Sequence, residues 1–217
     1  MAFPQTFRAY HASVNPIDYM LLEAVGQLFL GKTPSATEPF GIGFDAAGEI
    51  VEVGKDVKRL KVGDEVYAMT PFSAFGTLGE FSVVDEQFVA TKPRNLSFDE
   101  AASAPLVALT AYQGMFEHAK LQKGETVLIL GGSSSVGMYA IQFARAIGAR
   151  VITTWLDEVE AHSVDAFYNC GVENAAWNEG AQVMLKQNTI TILPMAQPIK
   201  EAEFGAHLIG QRGKTCD

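Results

Sequence analysis

The sequence predicts an α/β protein in two parts, a β-rich first half and a parallel α/β second half. Three observations predict it. Residues 125–154 read as strand, glycine turn, helix and strand. Residues 44–92 hold several short strand patterns separated by glycine turns. A helical stretch from Ser97 to His118 lies between the two. The expected boundary gives domains 1–115 and 116–217.

Val127, Leu128, Ile129 and Leu130 form a continuous apolar run, the pattern of a strand buried on both faces. Gly131 and Gly132 break it, three serines follow, and Gly137 is expected to open a helix. Val136, Ala140, Phe143, Ala144 and Ile147 recur at three- and four-residue spacing and make one apolar helix face. Gly148 ends the helix, and Val151 to Thr154 reads as a second buried strand. The two strands are expected to pair in parallel with a right-handed crossover.

The glycine turn has a chemical meaning. A helix N-terminus presents free N–H groups and a positive dipole end, and so favours a phosphate. Small residues let a diphosphate approach the backbone. Ser133, Ser134 and Ser135 keep the turn small and offer three hydroxyl donors. The spacing is G-G-S-S-S-V-G, which departs from G-x-G-x-x-G, so the flanking strand, helix and strand carry much of the dinucleotide reading.

Before that unit the chain reads in order as follows. Residues 7–14 are a strand end, Asn15-Pro16 turns the chain, and Asp18 to Leu30 is expected as a helix stopped by Gly31. Gly48 to Val53 alternates, with Ile50 opposed to Val51. Glu65 to Met69, Glu80 to Val84 and Gln87 to Lys92 are further strands, and together they suggest a small barrel-like β unit. Ser97 with Glu100 forms a capping box. The helix it starts is interrupted at Pro105 and resumes from Leu106 to His118. After Thr154, the expected elements are a strand at 164–170, a helix from Asn174 to Lys186, a strand from Thr189 to Leu193 and a short strand at 206–210.

Composition narrows the function. A net charge of −9 argues against a general nucleic-acid surface. No apolar run approaches the roughly 20 residues that span a bilayer. The first residues lack the apolar region of a signal peptide. Two cysteines, Cys170 and Cys216, imply no disulfide framework. A cytoplasmic protein is the expectation.

Four segments carry a resemblance: HASVNPIDY at 11–19, GFDAAGEIVEVGKDVKRLKVGDEVYAM at 43–69, EAASAPLVALTAYQGMF at 100–116, and the unit at 125–154. They resemble the medium-chain dehydrogenase/reductase superfamily in its zinc-free quinone oxidoreductase (zeta-crystallin-like) branch. The resemblance implies a GroES-like β-rich domain plus an abbreviated Rossmann-type parallel sheet domain. It implies NADPH as cofactor and hydride transfer to a quinone or a conjugated carbonyl. The cofactor carries that chemistry, and the protein positions it.

By position, Asn15, Asp18 and Tyr19 match the family's NPxD-type segment, and Asn15 or Tyr19 is expected to donate to the acceptor carbonyl. Thr110 matches a position facing the nicotinamide. Gly131, Ser133, Ser134, Ser135, Val136 and Gly137 are expected at the diphosphate, with Thr154 and Cys170 at neighbouring strand ends. Zinc is not expected. Residues 1–169 hold no cysteine, Phe44-Asp45 stands where zinc-dependent relatives carry His-Glu, and the four histidines show no ligand spacing.

The departures set the alternatives. The family's N-terminal strands and C-terminal return are missing, and the link between Thr154 and Val164 is too short for a helical crossover. Open sheet edges then predict a homodimer. Asp157 and Glu158 suit a ribose 2′-hydroxyl, which keeps NADH as the alternative cofactor. A non-catalytic binding or scaffold protein is the alternative function.

Overall fold

The computed structural model describes residues 5–20, 37, 41–71, 76–153, 161–170, 185–192 and 211–212, with backbone alone for 5–10, 185–192 and 211–212. The chain divides into two compact units, Met1–Leu106 and Val107–Asp217.

The first unit is built on one sheet. Strands β1 (Gln5–Ser13), β2 (Asp45–Glu52), β3 (Glu65–Met69), β4 (Phe81–Val84) and β5 (Val89–Thr91) lie in the order β4-β1-β2-β3-β5, each pair antiparallel. The expected alternation holds on β2 and β4. Ile50 is fully buried while Val51 is exposed, and Ser82 and Val84 are buried between exposed Phe81 and Val83. Ala46, Ile50, Leu60, Val66, Ala68, Val84 and Val89 form the core. The strand expected from Gln87 is shorter. Asp85 caps a turn of 3-10 helix at Glu86–Phe88, and the extended backbone starts only at Val89.

Helix α1 (Pro16–Met20) begins before the expected Asp18. The Asn15 amide donates to Asp18 Oδ2 at 2.6 Å, and the Asp18 amide donates back to the Asn15 carbonyl at 3.0 Å. Pro16 thus occupies the first helical position, where its missing N–H costs nothing. Residues 21–36 lie outside the described residues. Helix α2 (Phe98–Ala102) carries the expected capping box, with both the Ser97 and the Glu100 side chains making their reciprocal bonds.

Helix α3 (Pro105–Tyr112) runs from the end of the first unit into the second and continues as a π-helical segment at Gln113–His118. Strands β6 (Thr126–Leu130), β7 (Arg150–Thr153), β8 (Val164–Asn169), β9 (Leu185–Ile192) and β10 (Gln211–Arg212) form a sheet of order β10-β9-β8-β6-β7. The pairs β6–β7, β6–β8 and β8–β9 are parallel, as the sequence predicts for the first of them. Helix α4 (Ser135–Ala146) connects β6 to β7. Ala111, Met115, Val127, Ile129, Ala140, Ala144, Ala166 and Tyr168 pack into one core.

Two expectations are corrected. Strand β7 is only part-buried, because it is the last strand in the described sheet order. β9 already begins at Leu185, so residues 185 and 186 are strand and not the end of a helix; 171–184 lie outside the described residues. The described C-terminal strand is Gln211–Arg212, while 206–210 lie outside the described residues. Most of the short link, 154–160, lies outside the described residues.

Candidate functional site

In the second unit the expected cofactor-site residues Gly131 and Ser133 to Gly137 follow the C-terminal end of β6, and Cys170 follows β8. Strand β6 lies between β7 and β8, so the chain leaves it to one side and later returns to the other. Such a switch point opens a crevice beyond the carboxyl ends of a parallel sheet, where ligands of α/β folds bind.

Gly131 turns the chain there with φ +72, a conformation that favours glycine. Gly132 lies against β7. A β-carbon on it would fall 2.3 Å from Thr153 Oγ1. Gly137 does not open the helix, as the sequence suggested, but sits within its first turn and packs onto the turn behind it. A β-carbon on Gly137 would lie 2.2 Å from the Gly131 carbonyl oxygen and 2.7 Å from Gly132 Cα.

Ser134 is the N-cap of α4. Its hydroxyl accepts from the Gly137 amide at 3.1 Å and donates to the Gly131 carbonyl at 2.7 Å. Its proton is thereby committed. The expectation of three free hydroxyl donors reduces to Ser133 and Ser135, both exposed. The amides of Ser135 and Val136 meet no acceptor among the described residues, as expected at the first turn of a helix. Two free amides, two free hydroxyls and the positive end of a three-turn helix thus face the mouth.

Cys170 closes the other side. Its amide donates to the Leu130 carbonyl at 2.9 Å. Burial pushes its thiol up to about 12, against a smaller lowering by the Ser134 hydroxyl. Cys170 is therefore an uncharged lining group at neutral pH, not a nucleophile. Thr154 lies outside the described residues.

Thr110 lies on α3, and its carbonyl accepts from the Tyr168 hydroxyl at 3.2 Å. Tyr168 is fully buried, and burial, then the neighbouring Cys170, holds its phenol well above the usual range. Gly114 makes room for it, since a β-carbon there would come within 2.8 Å of the ring. Sequence reasoning missed this pair, because no periodicity links a helix glycine to a tyrosine on a distant strand.

The first unit holds a separate polar cluster. Asn15 Nδ2 donates to Asp45 Oδ2 at 2.9 Å and to the Ser13 carbonyl at 3.5 Å. Asp45 Oδ1 accepts from the Leu106 amide at 2.9 Å, at the start of α3. Asp45 is fully buried, and Asp18 and Asn15 are nearly so. Burial pushes the Asp45 carboxyl up to about 7; Asn15 and then the Leu106 amide oppose this, and Asp18 adds to it. Burial also raises Asp18, against the Asn15 amide, and its Oδ1 has no partner among the described residues.

Asn15 Nδ2 is thus directed at Asp45 and Ser13. Tyr19, the other expected donor, is 56% exposed. Asp45 entered the sequence reading only as a replacement for glutamate. Its role shows only once β1, β2 and α3 are assembled. Among the described residues no three of His, Cys, Asp and Glu converge as a metal site.

Residues 7–94 match the alcohol dehydrogenase GroES-like domain family. The chain is 42% identical over 142 residues to 2-methylene-furan-3-one reductase of Solanum lycopersicum, covering 63% of this chain and 35% of that protein. It is 40% identical over 156 residues to the mitochondrial NAD(P)H oxidoreductase RTN4IP1 of Mus musculus, covering 66% of this chain and 39% of that protein. The chain thus spans less than half the length of these relatives. Among solved structures it is similar to the quinone oxidoreductase from Coxiella burnetii, with TM-score 0.75 and 27% identity over 88% of this chain and 67% of that one. A match of that extent reaches into both units: the chain belongs to the medium-chain dehydrogenase/reductase superfamily, as a GroES-like domain followed by a Rossmann-like parallel sheet.

Proposed function

We propose that the chain is the core of an NADPH-dependent reductase that passes a hydride to a quinone or conjugated carbonyl without zinc. The single observation that carries this reading is the mouth of α4. The free amides of Ser135 and Val136 stand over a turn kept bare by Gly131, Gly132 and Gly137. That cradle fits a dinucleotide's diphosphate, which backbone amides at a helix N-terminus bind. NADPH, when bound, supplies the hydride. The Ser135 and Val136 amides and the Ser133 and Ser135 hydroxyls donate to the diphosphate, while Ser134 keeps the turn closed beneath it.

The relatives support the class of reaction. One is named a reductase of an unsaturated furanone, another an NAD(P)H oxidoreductase, and a structural neighbour is a quinone oxidoreductase. Phe44, fully buried, offers no metal-binding atom where zinc-dependent relatives carry histidine. The reading includes a homodimer in the cytoplasm, NADPH preferred over NADH, and no nucleic-acid or membrane partner.

The test is NADPH oxidation followed at 340 nm with 1,4-benzoquinone or an enone as acceptor. Acceptor-dependent oxidation is the expected result. Absence of both turnover and cofactor binding would favour a binding or scaffold role instead. Sedimentation at micromolar concentration tests the dimer, and a single monomer species would refute it.

A further inference from the structure

We propose that helix α3 takes its N-terminal cap from another element, the Asp45 side chain of β2, and that this cap is tight when Asp45 is charged and slack when it is neutral. The first unit thereby carries a pH-sensitive helix end. The proposal stands apart from the reductase reading, because no ligand enters it.

The start of α3 cannot cap itself. Pro105 is its first residue and has no N–H. Ala104 stands before it at the N-cap position, and alanine offers no side-chain acceptor there. The first amide that needs a partner is therefore that of Leu106. It donates to Asp45 Oδ1 at 2.9 Å, across 61 positions of the sequence. A local N-cap side chain accepts from this same second helical position or from the third. Asp45 thus does from β2 what a serine at the cap position would do from within the helix.

Charge decides how strong this bond is. Asp45 is fully buried, so water does not take its place. A carboxylate accepts about twice as strongly as a neutral oxygen, and its negative charge meets the positive end of the helix. Both oxygens of Asp45 are on donors, Oδ1 on the Leu106 amide and Oδ2 on Asn15 Nδ2 at 2.9 Å. A proton on Oδ1 displaces the Leu106 amide. A proton on Oδ2 leaves Oδ1 a neutral carbonyl oxygen. Either weakens the cap.

The surroundings bring that change close to neutral pH. On α1, Asp18 opposes the charge of Asp45. On β1, His11 is paired with Asp99 of α2, and Glu100 of α2 is bonded to Ser97. On β3, Glu65 is paired with Lys92. Helix α3 brings no titratable side chain before Tyr112. Burial foremost raises the Asp45 carboxyl from the ordinary 3.8 to about 7, against Asn15 and the Leu106 amide and with Asp18 adding to the rise.

The test is NMR of the Leu106 amide in the 217-residue chain. Pro105–Leu106 is the one Pro–Leu pair in the sequence, so labelling with carbonyl-13C proline and 15N leucine leaves a single amide signal. Its proton should move downfield as pH rises, with a midpoint near 7. Its protection from hydrogen exchange, corrected for the intrinsic rate, should be about 5-fold lower at pH 5 than at pH 8. Both dependences should vanish in D45N. D18N removes the opposing charge and should move the midpoint down. A Leu106 signal that does not titrate between pH 5 and pH 9, a titration that persists in D45N, or a midpoint unmoved in D18N would overturn the proposal. Should D45N fail to fold, the wild-type titration and D18N decide it.

Discussion

Gly137 and Gly131 approach so closely that a β-carbon on Gly137 would lie 2.2 Å from the Gly131 carbonyl oxygen. This contact seats the first turn of α4 on the end of β6. Backbone on both sides leaves no side chain to yield. G137A should therefore destabilise the chain by about 1–3 kcal/mol, read by urea denaturation. It should also weaken NADPH binding more than tenfold, because the amides of Ser135 and Val136 move with the helix.

Ser134 separates capping from ligand binding. Replacing it with alanine removes the acceptor for the Gly137 amide and the donor to the Gly131 carbonyl. S134A should cost about 1 kcal/mol in stability, whereas S133A and S135A should leave the melting temperature within a degree or two. The pattern for NADPH affinity should differ, with S133A and S135A each weakening it. Calorimetric titration beside thermal melts checks both.

Asp45 gives a pH dependence whose sign is fixed. Its folded value, about 7, lies above the ordinary 3.8 of an aspartate. A carboxyl raised in the folded state contributes its full stability below the unfolded value, and that contribution is lost as pH rises through the folded one. Asp45 should therefore lower stability between about pH 4 and pH 7, with no further change above. D45N keeps an acceptor for the Leu106 amide and removes the charge. It should be more stable than the wild type at pH 8, by on the order of 2 kcal/mol, and no more stable at pH 4. Denaturant melts at the two pH values check this.

The Tyr168 and Gly114 contact couples α3 to β8. Y168F deletes the bond to the Thr110 carbonyl and should cost about 1 kcal/mol. G114A drives a methyl against the ring and should cost about 1–3 kcal/mol. The double variant should cost less than the sum, since without its hydroxyl the ring can shift. A double-mutant cycle from equilibrium unfolding measures this coupling.

The two-part architecture was legible because it rests on local patterns. The apolar run 127–130, the Gly/Ser turn and the face on α4 are contiguous, and so is the Ser97–Glu100 capping box. Boundaries failed where a short-range side-chain hydrogen bond outweighed the periodic signal. Asp18 reaching back to Asn15 started α1 early, and Asp85 capping Gln87 shortened β5. The Gly/Ser turn ahead of a helix was legible in the sequence, yet the role of Ser134 as its N-cap depended on backbone geometry. The Asn15–Asp45 bond joins residues 30 positions apart in the sequence, so no spacing rule could have shown it.

Titration of the 217-residue chain with NADPH by isothermal calorimetry, beside the G137V variant, tests the central claim most directly. The account predicts saturable one-to-one binding in the wild type and none in the variant, with the first unit still folded. Wild-type chain that takes up no NADPH, or a G137V variant that binds it equally well, would contradict the assignment of the α4 mouth as the diphosphate site.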